Sequence, residues 1–445
     1  MADIIPFKGI RYNKDKVGAL SDVMAPPYDV ISPAQQDEFY NRSPYNVVRL
    51  DFGKALEADT ETLNRYTRSK ASLDGWLAEG ALAPDAEPCL YFYRMDYKAP
   101  SGDARKLTGI ICMLRLEEWD KGVVLPHERT LKGPKVDRME LIKATGVMAS
   151  QIFSLYSDPE KAVTAAMEAA TKGSAPDVEA TDDDGAAHKV WAVKDPDAIK
   201  AARESLAGRP VFIADGHHRY ETSLAYRDIR RAEGPYTGDE PFNFVPMFLA
   251  NMEEDGLTVL PTHRLVDYRN GLDSGNILKK AAEYFDIEEF PFTPDSEPEE
   301  RRNLLDALVL KGKNSQSFGF YFHGDAAFHL LTVKDMAAVK SALGCSPSEA
   351  YCNLDVTVLH SLIVERILGI DTEEIAKDQP VKFDKDGIRA VERVRAGEFT
   401  MCFLLNPTKV HEVRDVALAG EIMPQKSTYF YPKLLTGLVI APVGG

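Results

Sequence analysis

Apolar positions along the chain fall into short alternating runs interleaved with helical stripes, the pattern of an α+β protein. Leu90 to Tyr97 alternates as a half-buried strand does, and Leu107 to Leu116 answers it. Ala99-Pro100-Ser101-Gly102-Asp103 between them reads as a hairpin connection. Ile5 to Tyr12 and Asn46 to Phe52 read as further strands, while Leu63, Tyr66, Leu73, Trp76 and Leu77 mark one helix ending near Gly80. Paired prolines in Ala25-Pro26-Pro27-Tyr28-Asp29 forbid a helix and predict a stiff loop, with Tyr28 and Asp29 as its polar contributors to any ligand wall. Ser32-Pro33-Ala34-Gln35 then opens a helix with a capping box.

Farther along, helices are expected at about 136–145, 160–171 and 196–206, with a strand over Lys189 to Val193. The stretch 173–187 reads as a solvated loop; its Asp182-Asp183-Asp184 lacks the other ligands of a calcium loop. Strands follow at 245–251, 318–323, 328–333 and 400–406, and helices at 275–285, 298–310, 335–343, 354–368 and 386–395, with Pro261-Thr262-His263-Arg264 inside the stretch 257–266. His263-Arg264 either meets a site or ends a strand, and His360 reads as structural. No internal repeat is present.

One junction carries chemistry. Val211 to Ala214 is a short run of strand formers, Asp215-Gly216 is a turn pair, and a helix starts at His217 with Tyr220, Leu224, Ala225 and Ile229 on its expected apolar face. His217, His218 and Arg219 thus occupy a first helical turn, where unpartnered N–H groups and the helix dipole favour an anion. Arg219 adds a planar fork of donors suited to phosphate or carboxylate. The plainer alternative is that Asp215 caps the helix and the histidines satisfy surface backbone. Two other stretches are candidates for walls of the same site: Pro126-His127-Glu128 in a proline-bounded loop, and Met423-Pro424-Gln425-Lys426-Ser427-Thr428-Tyr429-Phe430-Tyr431-Pro432-Lys433, rich in hydroxyls and aromatics.

The 445 residues suffice for more than one domain. A formal charge of −16 gives no basic footprint for nucleic acid or an anionic membrane. Five scattered cysteines without a Cys-x-x-Cys spacing suggest reduced thiols. The N-terminus lacks the pattern of a signal peptide, and no segment is apolar enough to span a bilayer. These features predict a cytoplasmic protein.

Taken in order, Pro126-His127-Glu128, Asp215-Gly216-His217-His218-Arg219 and Met423-Pro424-Gln425-Lys426-Ser427-Thr428 resemble the motifs of the ParB/sulfiredoxin-like superfamily, specifically its nucleotide-dependent free serine kinases. From Pro6-Phe7 to its end the chain is also similar to a bacterial and archaeal family of unknown function with the signature Gly-His-His-Arg-Tyr-Glu-Thr.

The resemblance implies an α+β fold with a ParB/sulfiredoxin-like core at 121–260. An N-terminal α+β region at 1–120 and a C-terminal one at 261–445 flank it, and segment 423–433 returns to the site. It implies Glu128 as general base assisted by His127, and Gly216, His217, His218 and Arg219 as the phosphate clamp beside Asp215, a candidate Mg²⁺ ligand. Lys426, Ser427 and Thr428 complete the nucleotide site, although Gln425 interrupts the kinase pattern.

The expected activity is phosphoryl transfer from ADP or ATP, with Mg²⁺, to the hydroxyl of serine or a similar metabolite. No P-loop occurs, and no nucleic-acid or membrane partner is expected. Two alternatives stand beside it. One is a ParB-like nucleotide-binding regulator associated with DNA. The other is a metal-dependent hydrolase using His127, Glu128, His217 and His218. A sulfiredoxin-type reductase lacks its cysteine, since none lies between Cys112 and Cys345.

Overall fold

The computed structural model describes residues 2–128, 130, 132–268, 273–344, 348–371 and 380–444. The chain forms two units with mixed α/β content. The first comprises 1–126, 130–258 and 432–445, and the second 127–129 and 259–431.

A nine-stranded mixed sheet organises the first unit. Its path runs Val124–Leu125, Val211–Asp215, Ile152–Tyr156, Phe244–Asn251, Ala104–Arg115, Leu90–Lys98, Ala187–Val193 and Val178–Thr181, with Ile4–Ile5 paired separately on Ala104–Arg115. Most neighbours are antiparallel, but Val211–Asp215 runs parallel to Val124–Leu125, and Phe244–Asn251 runs parallel to Ile152–Tyr156. The central strands are apolar on both faces: every residue of Phe244–Asn251 is buried, as expected where both faces of a sheet are covered. The predicted hairpin is present, with Tyr91 opposite Ile111 and Lys98 opposite Ala104.

The second unit holds a six-stranded antiparallel sheet in the order Phe285–Pro291, Ala327–Val333, Ser317–Phe322, Met401–Leu405, His263–Val266, Val381–Asp384. Its core gathers Leu304 and Leu308 of helix Glu297–Lys311, Val391 and Val394 of helix Gly387–Arg395, and Leu265, Phe328 and Leu404 from the strands.

Several elements differ from the sequence reading. Asn46 to Phe52 contains a short helix, Val48–Asp51, rather than a strand. Asn46 accepts the N–H of Val48 with its side-chain oxygen, and Val47, Val48, Leu50 and Asp51 are all buried, so no strand-like alternation arises. The helix expected from 136 begins at Lys132, because Pro134 lies in its first turn, where a missing N–H costs nothing. Within 173–187 the structure has a strand, Val178–Thr181, and Asp182 is engaged rather than solvated. Asp182 Oδ2 lies 3.0 Å from His188 Nε2, and Asp182 Oδ1 accepts the N–H of Ala186.

Strands Phe285–Pro291 and Val381–Asp384 carried no clear alternation and were not anticipated. By contrast, the capping box at Ser32 and Gln35 forms as read, while the stiff loop expected after the prolines closes into a 3₁₀ turn, Tyr28–Val30. Cys89, Cys112 and Cys402 are free and buried, but Cys352 is disulfide-bonded, against the expectation of reduced thiols; Cys345 lies outside the described residues.

Candidate functional site

In the first unit the strand Val211–Asp215 ends at a register shift between Ile213 and Asp215, and such irregularities re-aim the side chain at a strand end. Gly216 follows at φ 100° and serves as N-cap of helix His217–Ala232 without contributing any side-chain oxygen. Asp215 therefore does not cap the helix; its carboxylate turns to cations. Arg219 Nη2 lies 3.4 Å from Asp215 Oδ2, and Lys433 Nζ lies 3.4 Å from Asp215 Oδ1. Burial alone would raise the Asp215 carboxyl, but Lys433, Arg219 and His217 together hold it down at about 2.

Arg219 is buried and braced. Its Nη1 donates to the carbonyl of Gln151 at 2.5 Å, and Gln151 Nε2 in turn donates to the carbonyl of Val439. Tyr28, from the proline-stiffened loop, lies within electrostatic reach of Arg219 and carries the Arg138 guanidinium 4.0 Å over its ring. Burial pushes the Tyr28 hydroxyl up to about 12, with both arginines opposing the rise. Two cations, Arg219 and Lys433, thus meet the Asp215 carboxylate at the start of a sixteen-residue helix, whose dipole adds positive potential there. That is the electrostatics of an anion site.

Strand Val124–Leu125 runs parallel beside Val211–Asp215, so both strands end at the same edge of the sheet. The carboxyl ends of parallel strands are where α/β sheets bind ligands. From Pro126 the chain passes to His127 and Glu128 of the second unit.

There His127 is buried, its Nε2 3.0 Å from Thr428 Oγ1, and its carbonyl accepts the N–H of Met423 at 2.9 Å. Glu128 Oε1 accepts the N–H of Lys426 at 2.5 Å, and Oε2 makes no hydrogen bond among the described residues. Lys426 holds φ 56°, a left-handed conformation that costs a non-glycine residue roughly 1 kcal/mol or more. Neighbouring hydroxyls fix that turn. Thr262 Oγ1 donates to the carbonyl of Lys426 at 2.6 Å, and Thr408 Oγ1 to that of Ser427 at 2.7 Å. Ser427 Oγ donates to the carbonyl of Pro424.

Arg264 lies fully buried in this unit, with Nε 3.2 Å from His360 Nε2 and Nη1 on the carbonyl of Thr262. Its Nη2 has no partner among the described residues. Burial lowers the guanidinium to about 9, and the negative charge of Glu128 opposes that fall.

The structure thus gathers Asp215, Gly216, His217, His218 and Arg219 in one unit, and His127, Glu128, Lys426, Ser427 and Thr428 in the other. Three contributors escaped the sequence reading. Lys433 was visible in the last motif but not assigned to Asp215. Gln151 acts on Arg219 through its backbone, which leaves no mark in a sequence. Arg264 was left between two roles, and its lack of a carboxylate partner emerges only from packing. Among the described residues no group of three or more His, Cys, Asp or Glu is placed to hold a metal. Asp215, held by two cations, offers a divalent ion one carboxylate at most; Mg²⁺ fits there only together with phosphate oxygens. No described helix is long and apolar enough to cross a membrane.

The model of a family described as a protein of unknown function, DUF1015, matches residues 4–357, and the chain belongs to that family. No curated protein matches it in sequence. Among solved structures, a mutant free serine kinase in complex with AMP shares 12% identity at a TM-score of 0.35, covering 72% of this chain and 89% of that one. A conserved hypothetical protein from Pyrococcus furiosus shares 13% identity at a TM-score of 0.31, covering 69% and 87%. SbnI with a C-terminal truncation, from Staphylococcus aureus, shares 11% at 0.33, covering 74% and 86%.

Proposed function

We propose that this member of the DUF1015 family is a nucleotide-dependent phosphotransferase that moves a phosphoryl group from ADP or ATP to the hydroxyl of serine or a similar small metabolite. The observation that carries the reading is the helix start at Gly216, where Arg219 and Lys433 both lie 3.4 Å from the Asp215 carboxylate. The order of the three motifs, resembling that of the free serine kinases, supports it.

Phosphoryl transfer asks a protein for positioning and charge neutralisation rather than covalent chemistry. In this reading the N–H groups of the helix start and the Arg219 fork hold the phosphate, and His217 and His218 add donors. Glu128 Oε2 takes the proton of the acceptor hydroxyl as its oxygen bonds to phosphorus and the bond to the leaving AMP or ADP breaks. Lys426 keeps the Glu128 carboxylate oriented through its backbone N–H, and Thr428 does the same for His127. Mg²⁺, when bound with the nucleotide, would supply further neutralisation, with Asp215 as its protein ligand.

The test is incubation of the full chain with serine, Mg²⁺ and either nucleotide, reading phosphoserine together with AMP or ADP. Glu128→Gln is expected to lower turnover by about 10²- to 10⁴-fold, the usual worth of a general base, with nucleotide affinity retained. Wild-type turnover in that variant would remove Glu128 from the role. Failure of both ADP and ATP to bind would overturn the reading as a whole.

A further inference from the structure

The second unit contains a cavity of about 160 Å³ between the turn 312–316, the start of helix Asp355–Val358 and the segment 406–409. Nothing in the proposed phosphoryl transfer uses it. Asp355 stands in its wall, and among the described residues its carboxylate makes neither a hydrogen bond nor an ion pair. The neighbouring Glu412 is different: it accepts the backbone N–H of Lys409 at 2.8 Å and lies 3.7 Å from Lys409 Nζ. Burial pushes the Asp355 carboxyl up to about 7, with Glu412 adding to the rise and Lys409 opposing it. The fourth charged group of the lining, Lys313, is exposed.

Three amides also line the cavity, the exposed Asn314 and the anchored Asn406 and Gln316. Asn406 Nδ2 donates to the carbonyl of Leu308 at 3.1 Å, and Gln316 Nε2 to the carbonyl of Asn353 at 2.9 Å. Each of these two amides donates one of its two N–H groups to the backbone, and each keeps a carbonyl oxygen that accepts nothing among the described residues. Asp355, Asn406 and Gln316 are therefore three acceptors lacking donors around one small cavity.

We propose that this cavity binds the ammonium group of a small amine-bearing metabolite, as a second ligand site separate from the Asp215 turn. An ammonium is three donors and no acceptor, which matches that inventory. The volume is close to that of an engineered cavity known to admit benzene, so the occupant is a molecule of a few heavy atoms. A divalent cation suits the wall less well, because Lys409 already neutralises Glu412 and only one carboxylate remains. Free amino acids and short diamines share the required group. The exposed ammonium of Lys313 would favour the amino acid, whose carboxylate it can meet. Thr408 also lines the cavity and donates to the carbonyl of Ser427, so an occupant sits one hydrogen bond from the Lys426 turn.

The proposal is independent of the phosphotransferase reading, and L-alanine keeps the two apart because it has no hydroxyl to accept phosphate. Calorimetric titration of the full chain with L-alanine, with 1,4-diaminobutane and with MgCl₂ alone is the experiment. It is run on the wild type, Asp355→Asn and Gly312→Ala, in buffer above the Asp355 titration. Saturable binding of alanine or the diamine is expected, weakened about tenfold or more by Asp355→Asn. Gly312→Ala should weaken it too, because a Cβ there would lie 2.0 Å from Asn406 Nδ2 and displace that amide.

Unliganded Asp355→Asn should melt higher than the wild type in the same buffer, so loss of binding cannot be ascribed to unfolding. Binding that survives Asp355→Asn unchanged, or the absence of saturable binding by both amines, overturns the proposal. So does Asp355-dependent binding of Mg²⁺ alone.

Discussion

Gly216 has φ 100°, and a Cβ built on it would meet the Arg219 guanidinium at 2.9 Å. Both facts bear on one residue change. Gly216→Ala forces an L side chain into left-handed backbone, at about 1–2 kcal/mol, and pushes the arginine off the Gln151 carbonyl as well. Urea unfolding of Gly216→Ala should therefore show roughly 1–3 kcal/mol lost stability, and nucleotide binding should weaken along with it. Unchanged binding alongside a measured loss of stability would separate the turn from the ligand. Asp215, Gly216 and Arg219 were legible because they are contiguous and chemically unusual for a helix start. Lys433 was not, since its bond to Asp215 joins positions more than two hundred residues apart in sequence.

At the level of elements, helix His217–Ala232 shows why a pattern of apolar residues alone reads imperfectly. Its length and start were legible, yet Ala225 and Ile229, assigned to the core, are exposed. The buried stripe is instead Tyr220, Ser223, Leu224 and Arg227, whose spacing is helical but whose chemistry is half polar. Arg227 tolerates burial because it pairs with Glu118 and Asp228 and reaches the carbonyl of Leu116.

Strand His263–Val266 poses the same problem. His263 Nδ1 accepts the N–H of Leu405 at 3.1 Å, so the buried ring must stay neutral. Burial first, then the neighbouring Arg264, lower it to about 4, against the weaker pull of Asp384 and Asp386.

The unfolded chain binds a proton here from about pH 6.5 downward, whereas the folded chain resists until about 4. The contribution of His263 to stability is thus complete above about 6.5, and it declines as pH falls toward 4 by an amount on the order of 3 kcal/mol. His263→Gln, which keeps an acceptor without titrating, should flatten the fall of the urea midpoint across that window. Parallel curves for the two proteins would show that the ring is not the source.

On the scale of the whole molecule, the chain is threaded so that the first unit is closed by its own last residues, 432–445. Sequence reading brought segment 423–433 back toward the site through its chemistry, but nothing in the pattern announced that the remaining tail completes a core. The structure gives the reason. Ile440 and Ile10 exchange backbone hydrogen bonds, Thr436 and Gly437 donate to the carbonyls of Ala25 and Ala149, and Ala441–Pro442 pairs with Val147–Met148. Leu434, Leu435, Leu438, Val439, Ile440 and Val443 are buried. Six such side chains at about 1.5–3 kcal/mol each approach the entire stability of an ordinary domain, taking the lower figure because an extended-chain reference overstates burial.

Removing everything after Tyr431 should consequently unfold the first unit. The amides of Val211–Asp215 and Phe244–Asn251 would lose hydrogen-exchange protection. The second unit keeps all six strands of its sheet in the shortened chain, so Ser317–Phe322 and Met401–Leu405 should remain protected. Protection of Val211–Asp215 persisting in the truncated protein would mean that the tail only covers the unit and does not close it.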